Sequence, residues 1–430
     1  MKNLNISIAG LGNVGSDLIK TIINNNFFVK NKSDLSINII GISAKNFLKK
    51  RSFNIKSYNW FDNPKDLLKL KDLNVFVELI GEEKGISYEL VKLALKKKIN
   101  VITANKALLA KNGLELFEIA EKNNVLLLYE AAVAGGIPII KTLKNNIFLN
   151  KIKKISGILN GTTNYILTTM YKDNLSFNKV LSMAKNKGYT SESEADLDIG
   201  GLDSAHKLTL LTTICFGSTI NFSNNKITGI ENVQILDIIN AEKLGFKIKL
   251  ISEAYIFNDE IYCVTGPKFI TNSNPLANVD GVLNAIKIET DQLKSLFLAG
   301  EGAGGKATAS SILSDLLEIS SNTNILSLGY KNKNLINFKK FDTLHIESAF
   351  YLRIMVKDET GVLSKITGFF KDFNISIEKI FQLPDNNKMQ TSIPIVIVTH
   401  SIKKNILLMT IDKIENQRFV LEKINIIPID

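Results

Sequence analysis

The chain has 430 residues, 45% hydrophobic and 22% charged, which suits a globular protein of two or three domains and excludes a disordered polymer. Its formal net charge of +11 is carried almost wholly by lysine, and with only Arg51, Arg353 and Arg418 available a nucleic-acid reader built on bidentate arginine contacts is disfavoured. Two cysteines, Cys215 and Cys263, build neither a disulfide framework nor a four-ligand zinc site; with no bilayer-length apolar run and no signal-peptide pattern at the N-terminus, a cytoplasmic protein is expected.

Leu4 to Ala9 reads as a short strand, followed by Gly10-Leu11-Gly12-Asn13-Val14-Gly15 and a helix through Leu18 to Ile23. This is G-x-G-x-x-G in a strand-turn-helix setting. Gly10 permits the tight turn, Gly12 lets backbone approach a pyrophosphate, Gly15 allows close helix packing, and the helix start at Asn13 and Val14 faces the phosphates. A second strand, Ile37 to Ile42, ends at Ser43-Ala44-Lys45 without the acid that usually meets the ribose hydroxyls. Lys45, helped by Arg51, suits a 2′-phosphate, so NADP is preferred and NAD is the alternative.

The alternation continues with strands at Val75 to Ile80, Asn100 to Thr103 and Val125 to Tyr129, and a helix near Tyr88 to Lys98. It predicts an α/β fold with a Rossmann-type parallel sheet whose ligand lies beyond the carboxyl ends of the strands. Thr103-Ala104-Asn105-Lys106 falls there, which aims Lys106 at the site, although a solvated loop lysine explains the position equally well. After the last strand, Gly135 and Gly136 allow backbone carbonyls to converge as a hard cation requires; a glycine turn before a capped helix near Pro138 is the competing reading.

Strand-like segments at Lys153 to Leu159 and Ala254 to Val264, with helices near Asn178 to Asn186 and Asp203 to Cys215, suggest an α+β domain. Within Gly188 to Leu208, carboxylates crowd one lysine, and Asp203 and Lys207 at i and i+4 share a helix face. An acid there can hold an ammonium while the lysine moves a proton; taken alone, the pair also reads as an ordinary solvated salt bridge. Leu298 to Gly305 leads into another helix, and the Asn- and Lys-rich stretch Asn322 to Asp342 reads as a linker. Beyond it, a strand at Ala349 to Val356, an acid-glycine turn at Asp358 to Leu363, strands near Ser376 to Leu383 and Ile393 to His400, a second helix and a final strand give βαββαβ order.

Taken together, the segments Gly10 to Gly15, Val101 to Ala110, Tyr129 to Pro138, Gly157 to Tyr165, Gly188 to Leu208 and Gly300 to Gly305 resemble the homoserine dehydrogenase family in the same order, over almost the whole chain. The C-terminal region resembles an ACT domain. The resemblance implies reversible NAD(P)-dependent interconversion of L-homoserine and L-aspartate 4-semialdehyde, on the route to threonine and methionine. It implies Lys207 as the proton-donating lysine, Lys106 as a second lysine near nicotinamide and substrate, Glu192 and Asp203 as substrate acids, and Asp198 as an acid orienting the lysines. Glu192 is taken over Glu194 for its spacing to Asp203, across an apparent one-residue insertion.

Thr103, Gly188 and Gly304 join the glycine turn, Lys45 and Lys106 at the implied cofactor site. A structural sodium ion is implied on the Glu130 carboxylate and the carbonyls of Val133, Gly135 and Ile137. The domains implied are 1–130 with 306–325 for the dinucleotide, 131–305 for substrate, 326–346 as linker and 347–430 as ACT domain. A homodimer or homotetramer inhibited by threonine is expected, with no nucleic acid or membrane partner. The rival from another class is a catalytically silent amino-acid sensor.

Overall fold

The computed structural model describes residues 2–321, 326–382 and 392–430. Leu4, Ile6 and Ile8 are all buried and carry the strand Lys2–Ala9 into a five-stranded sheet. Its order is Leu35–Ser43, Lys2–Ala9, Val75–Glu78, Asn100–Thr103, Leu127–Leu128, and every pairing is parallel. A parallel sheet must be covered on both faces. One is covered by the helices Asn13–Ser33 and Gly305–Ser320 through Leu18, Ile19, Ile312 and Leu316, the other by Ile86–Lys96 and Lys106–Lys122 through Leu90, Val91, Leu108 and Leu116. The architecture is the expected α/β one. Because Lys2–Ala9 has the next strand on one side and the third on the other, a crevice opens beyond Ala9 and Glu78.

The second sheet is mixed. Ser295–Glu301, Leu283–Thr290, Ile152–Ile158, Phe246–Phe257 and Glu260–Thr271 run antiparallel in that order. The expected single strand at Ala254 to Val264 is corrected here to a hairpin, with Asn258 and Asp259 both left-handed (φ 48° and 60°). A two-residue turn of that hand matches the twist of the strands it joins. Apolar residues on either side of this Asn-Asp pair, Ile256 and Phe257 before it and Ile261 and Tyr262 after it, masked the turn.

The C-terminal strands Glu347–Lys357, Ile377–Gln382, Ser392–Thr399 and Asn425–Ile429 form an antiparallel sheet in the order fourth, first, third, second, with helices Val362–Asp372 and Lys404–Glu415 packed through Ile366, Phe370, Leu407 and Ile411. Leu383, the end of one expected strand, lies outside the described residues. This sheet joins the preceding one, since Ile429 pairs with Phe269 and Phe269 stacks on Tyr351 with ring centroids 4.7 Å apart. The buried Asp237 carboxylate accepts from Tyr351 Oη (2.8 Å), Arg353 Nε (2.9 Å) and Asn425 Nδ2 (2.9 Å), which ties the helix Ile235–Lys243 to the C-terminal module.

The stretch expected as a linker is attached rather than free. Residues 322–325 lie outside the described part, but Leu328 is buried, Leu335 and Phe338 pack on the core, and Lys339–Lys340 pairs with Glu260 and Ile261. Apolar residues interleaved among the lysines and asparagines supply the burial that holds it down. No helix among the described residues is long and apolar enough to cross a membrane.

Candidate active site

The first strand ends in a turn that only glycine fits. Gly10 has φ +102°, and a Cβ there would stand 2.3 Å from the Leu79 carbonyl oxygen, whereas a Cβ on Gly12 would meet open space. The backbone at Gly12 is thus bare toward the crevice, at the start of the helix Asn13–Ser33, as a bound pyrophosphate requires. Gly304, with φ +113°, also borders open space and precedes the helix Gly305–Ser320, which packs on the first helix. Lys45 is 87% exposed and paired with Glu82 at 2.9 Å, and Arg51 donates to the carbonyls of Asn46, Phe47 and Lys49.

Glu78, buried at the end of the third strand, has no place in the sequence reading. Its carboxylate accepts from Ile80 N (2.8 Å), Gly81 N (3.2 Å), Ser87 Oγ (3.1 Å) and Thr103 Oγ1 (2.6 Å), locking together the loops after two strands. Thr103 in turn accepts from Asn105 N at 3.0 Å, and Asn105 caps the helix that Lys106 opens.

Lys106 then reaches Asp203. The lysine Nζ lies 3.1 Å from Asp203 Oδ1, and Lys207 Nζ lies 2.7 Å from Asp203 Oδ2, so two lysines share one carboxylate. Lys207 also donates to the Leu159 carbonyl at 2.6 Å. Burial alone would raise the Asp203 carboxyl, but Lys207 and Lys106 outweigh it and hold the group well below the usual carboxylate range. Asp203 raises the proton affinity of Lys106 in return. Asp198 is the opposite case, pushed up by burial and by the Asp203 charge. The helix spacing therefore delivers Asp203 and Lys207 to one point, as the i, i+4 reading required.

Asn160 lies inside the segment Gly157 to Tyr165, where nothing in the sequence alone marks it out. It caps the helix Gly161–Asp173 and donates to both Asp198 Oδ1 (2.7 Å) and Asp203 Oδ2 (3.0 Å). His206, beside the lysine, is held neutral: burial pushes its pKa down to about 4, and its ring lies 4.6 Å from that of Phe222.

Glu192 is not brought to this cluster. Its side chain is 84% exposed and pairs with Lys185 at 2.6 Å, while Glu194 accepts from Ser191 Oγ and adds its charge to the field at Lys106. These residues lie on the exposed run before the short helix Ala195–Ile199, where a solvated carboxylate takes the nearest lysine. Gly188, with φ +72°, opens that run.

Glu130 is buried, and its oxygens accept from Ile140 N (2.8 Å) and Lys141 N (2.9 Å). Burial and the neighbouring Asp315 push its pKa up to about 7. Ala134 and Gly135 are consecutive left-handed residues (φ 54° and 53°), which turns the backbone sharply beside it. The Gly135 carbonyl accepts from Ser311 Oγ at 2.6 Å, and a Cβ on Gly135 would stand 2.6 Å from the Gly302 backbone. Among the described residues no group of three or more His, Cys, Asp or Glu side chains is placed to hold a metal, so a cation here would depend on Glu130 and backbone carbonyls. The oxygen-only donor set suits a hard cation.

The chain is similar to known proteins over almost its whole length. Residues 138–317 match the family model described as homoserine dehydrogenase, residues 10–130 match its NAD-binding domain, and residues 350–416 match the ACT domain. A homoserine dehydrogenase of Neisseria gonorrhoeae is 36% identical over 413 residues, 94% of each chain, and one of Helicobacter pylori is 34% identical over 98% of this chain and 97% of its own. The crystal structure of a homoserine dehydrogenase from Thiobacillus denitrificans superposes with TM-score 0.90 at 31% identity, covering 100% of this chain and 98% of that one. A hyperthermophilic archaeal homoserine dehydrogenase in complex with NADPH gives TM-score 0.63 at 25% identity over 76% of this chain and 100% of that one.

Proposed function

The chain belongs to the homoserine dehydrogenase family, an NAD(P)-dependent oxidoreductase acting on the CH–OH group of homoserine and carrying a C-terminal ACT domain, and from that premise we propose how its residues divide the work. The nicotinamide cofactor, when bound, gives or takes the hydride. The observation that carries the proposal is the Lys106–Asp203–Lys207 cluster beyond the ends of the parallel strands. Lys207 has three N–H groups; Asp203 and Leu159 take two, leaving one for the substrate oxygen. In reduction Lys207 gives that proton as charge develops on the carbonyl oxygen, and in oxidation it receives it. Lys106, on the cofactor side, adds positive charge near the same oxygen.

Both Asp203 oxygens are taken up by the lysines and Asn160, so the acid roles read from the family are exchanged in this proposal. Asp203 fixes the lysines, and Asp198 holds the substrate ammonium. Glu192 completes the ammonium site once it leaves Lys185, with Glu194 as the alternative acid. Gly10, Gly12, Asn13, Val14, Gly15, Thr103, Gly188 and Gly304 bind the cofactor. Lys45 favours NADP by exchanging Glu82 for a 2′-phosphate.

Sodium is held by Glu130 with the carbonyls of Val133, Gly135 and Ile137 and acts on structure alone. Threonine binds at the Asp358 to Leu363 turn and inhibits, within a homodimer or homotetramer. Support for a regulatory link comes from Asp237: its helix follows a loop in which Ile230 N donates to the Ile199 carbonyl at 2.9 Å, next to Asp198.

The direct test follows nicotinamide absorbance with homoserine and either NADP or NAD, with sodium or choline as counter-ion, and with threonine titrated in. A higher kcat/KM with NADP and inhibition by threonine are expected. Equal use of both coenzymes removes the Lys45 assignment, and activity indifferent to threonine removes the effector.

A further inference from the structure

Asn160 stands at the chain reversal between the strand Ile152–Ile158 and the helix Gly161–Asp173, and only 5% of it is exposed. Its Oδ1 accepts from Thr163 N at 2.8 Å, which fixes which end of the amide is nitrogen. The Nδ2 end then donates one hydrogen to Asp198 Oδ1 and the other to Asp203 Oδ2. We infer that Asn160 is a positioning residue for proton transfer: its amide clamps the two acids together, so that Asp203 stays aligned on Lys207 while Asp198 is held in place for the substrate ammonium. This rests on the reading of Lys207 and Asp198 given above.

The chemistry narrows the residue to asparagine. Aspartate would cap the helix but set a third anion against two others. Serine would cap it but could not bridge both acids. Leucine or alanine would neither cap nor bridge. Of these residues, asparagine alone offers an acceptor to the backbone and two donors to the carboxylates. The preceding Leu159 carbonyl takes the Lys207 ammonium, so consecutive residues of one turn grip three charged groups.

Two neighbouring carboxylates repel, and burial adds to the cost of their charge. The groups facing the pair are Lys106 from its helix, Lys207 and His206 from the helix Leu202–Phe216, and Glu194 ahead of the short helix. Lys106 and Lys207 both act on Asp203. Asp198 is helped chiefly by polar hydrogens, that of Asn160 among them, and its proton affinity is raised all the same. Removing the amide leaves that acid less stabilised and loosens its companion.

The test uses Asn160→Ser and Asn160→Asp in the full-length enzyme, since both keep an acceptor for Thr163 N and therefore the helix cap. With Asn160→Ser, kcat should fall about 10- to 100-fold, as expected for lost hydrogen bonds to charged groups. The acidic limb of the kcat/KM profile should move up by about one pH unit as the acid pair holds its protons more tightly. Asn160→Asp should move it further and lower Tm as a third buried anion is added, whereas cofactor Kd should stay near wild type in both and Tm near wild type in Asn160→Ser.

Loss of activity with an unmoved acidic limb, or a wild-type rate, overturns the inference. If Asn160→Ser falls in Tm, the limb of the folded fraction of Asn160→Asp decides. Lys207→Ala is measured alongside: activity retained there fails the parent reading, whereas an inactive Lys207→Ala beside an unaltered Asn160→Ser fails only the clamp.

Discussion

Lys106 and Asp203 meet at 3.1 Å although one opens a helix of the dinucleotide-binding layer and the other a helix beside the second sheet. Their ion pair joins the region that matches the NAD-binding domain to the one that matches the homoserine dehydrogenase domain. Asp203→Asn should therefore disturb both lysines. We expect kcat to drop by about 10²-fold or more and the alkaline limb of the kcat profile to shift down, because a lysine deprived of its carboxylate loses its proton more easily. An alkaline limb unchanged in this variant would remove Lys106 from the titration.

Lys207→Ala should lower kcat by at least about 10²-fold, the usual cost of a missing general acid, while cofactor affinity measured by fluorescence stays near wild type. Lys207→Arg should not rescue, since a guanidinium keeps its proton throughout the working range. Rescue by arginine would mean that charge alone is needed.

The raised proton affinity of Asp198 gives the substrate dependence a sign. In the proposed role the ionised acid binds the ammonium, so the KM for homoserine should rise as pH falls toward that group's titration, with the cofactor KM flat over the same range. Asp198→Asn should raise KM and abolish the slope. A slope that survives would assign the ammonium to another acid, with Glu192 and Glu194 next to be tested.

Glu130 supplies a prediction on stability. Its folded pKa is raised from 4.5 to about 7, so between those values the folded state keeps a proton that the unfolded chain has lost. Its contribution is full below about pH 4.5 and lost as pH rises through about 7, a cost of about 3 kcal/mol for burying the charged form. A bound cation would offset that cost. Tm in sodium minus Tm in choline should thus grow from pH 5 to pH 8, and Glu130→Gln should remove the difference. A sodium effect independent of pH would place the ion elsewhere.

Arg353 lies buried between Asp237, Glu422 and the Asn232 carbonyl. Arg353→Met leaves the buried Asp237 charge without its cation, and breaking such a pair costs roughly 3–5 kcal/mol. A lower denaturation midpoint is expected, together with a threonine inhibition constant raised about fivefold or more, within the usual range of coupling energies. Unchanged inhibition in a folded variant would route the coupling away from this contact.

Much of this site is local in sequence and could be read there. The glycine turn follows from a strand, a helix start and the backbone freedom at Gly10. The Asp203–Lys207 contact follows from helical spacing, and the parallel sheet from alternating strands and helices. Other features arise from contacts that leave no periodic trace. Asn160 matters because a chain reversal sets it against two acids from other elements, and Glu78 because donors from a loop, a helix and a strand converge on it. The hairpin at Asn258 was hidden by apolar neighbours, and the pairing of Ile429 with Phe269 that merges two sheets joins distant segments. Sequence alone determined the family, the turn and the helical acid–lysine pair, because their geometry is set within a few residues of backbone. Tertiary structure alone decided which polar atoms meet in the cleft and that Glu192 faces Lys185, because a buried hydrogen bond or a surface ion pair depends on which neighbours folding brings within about 3 Å.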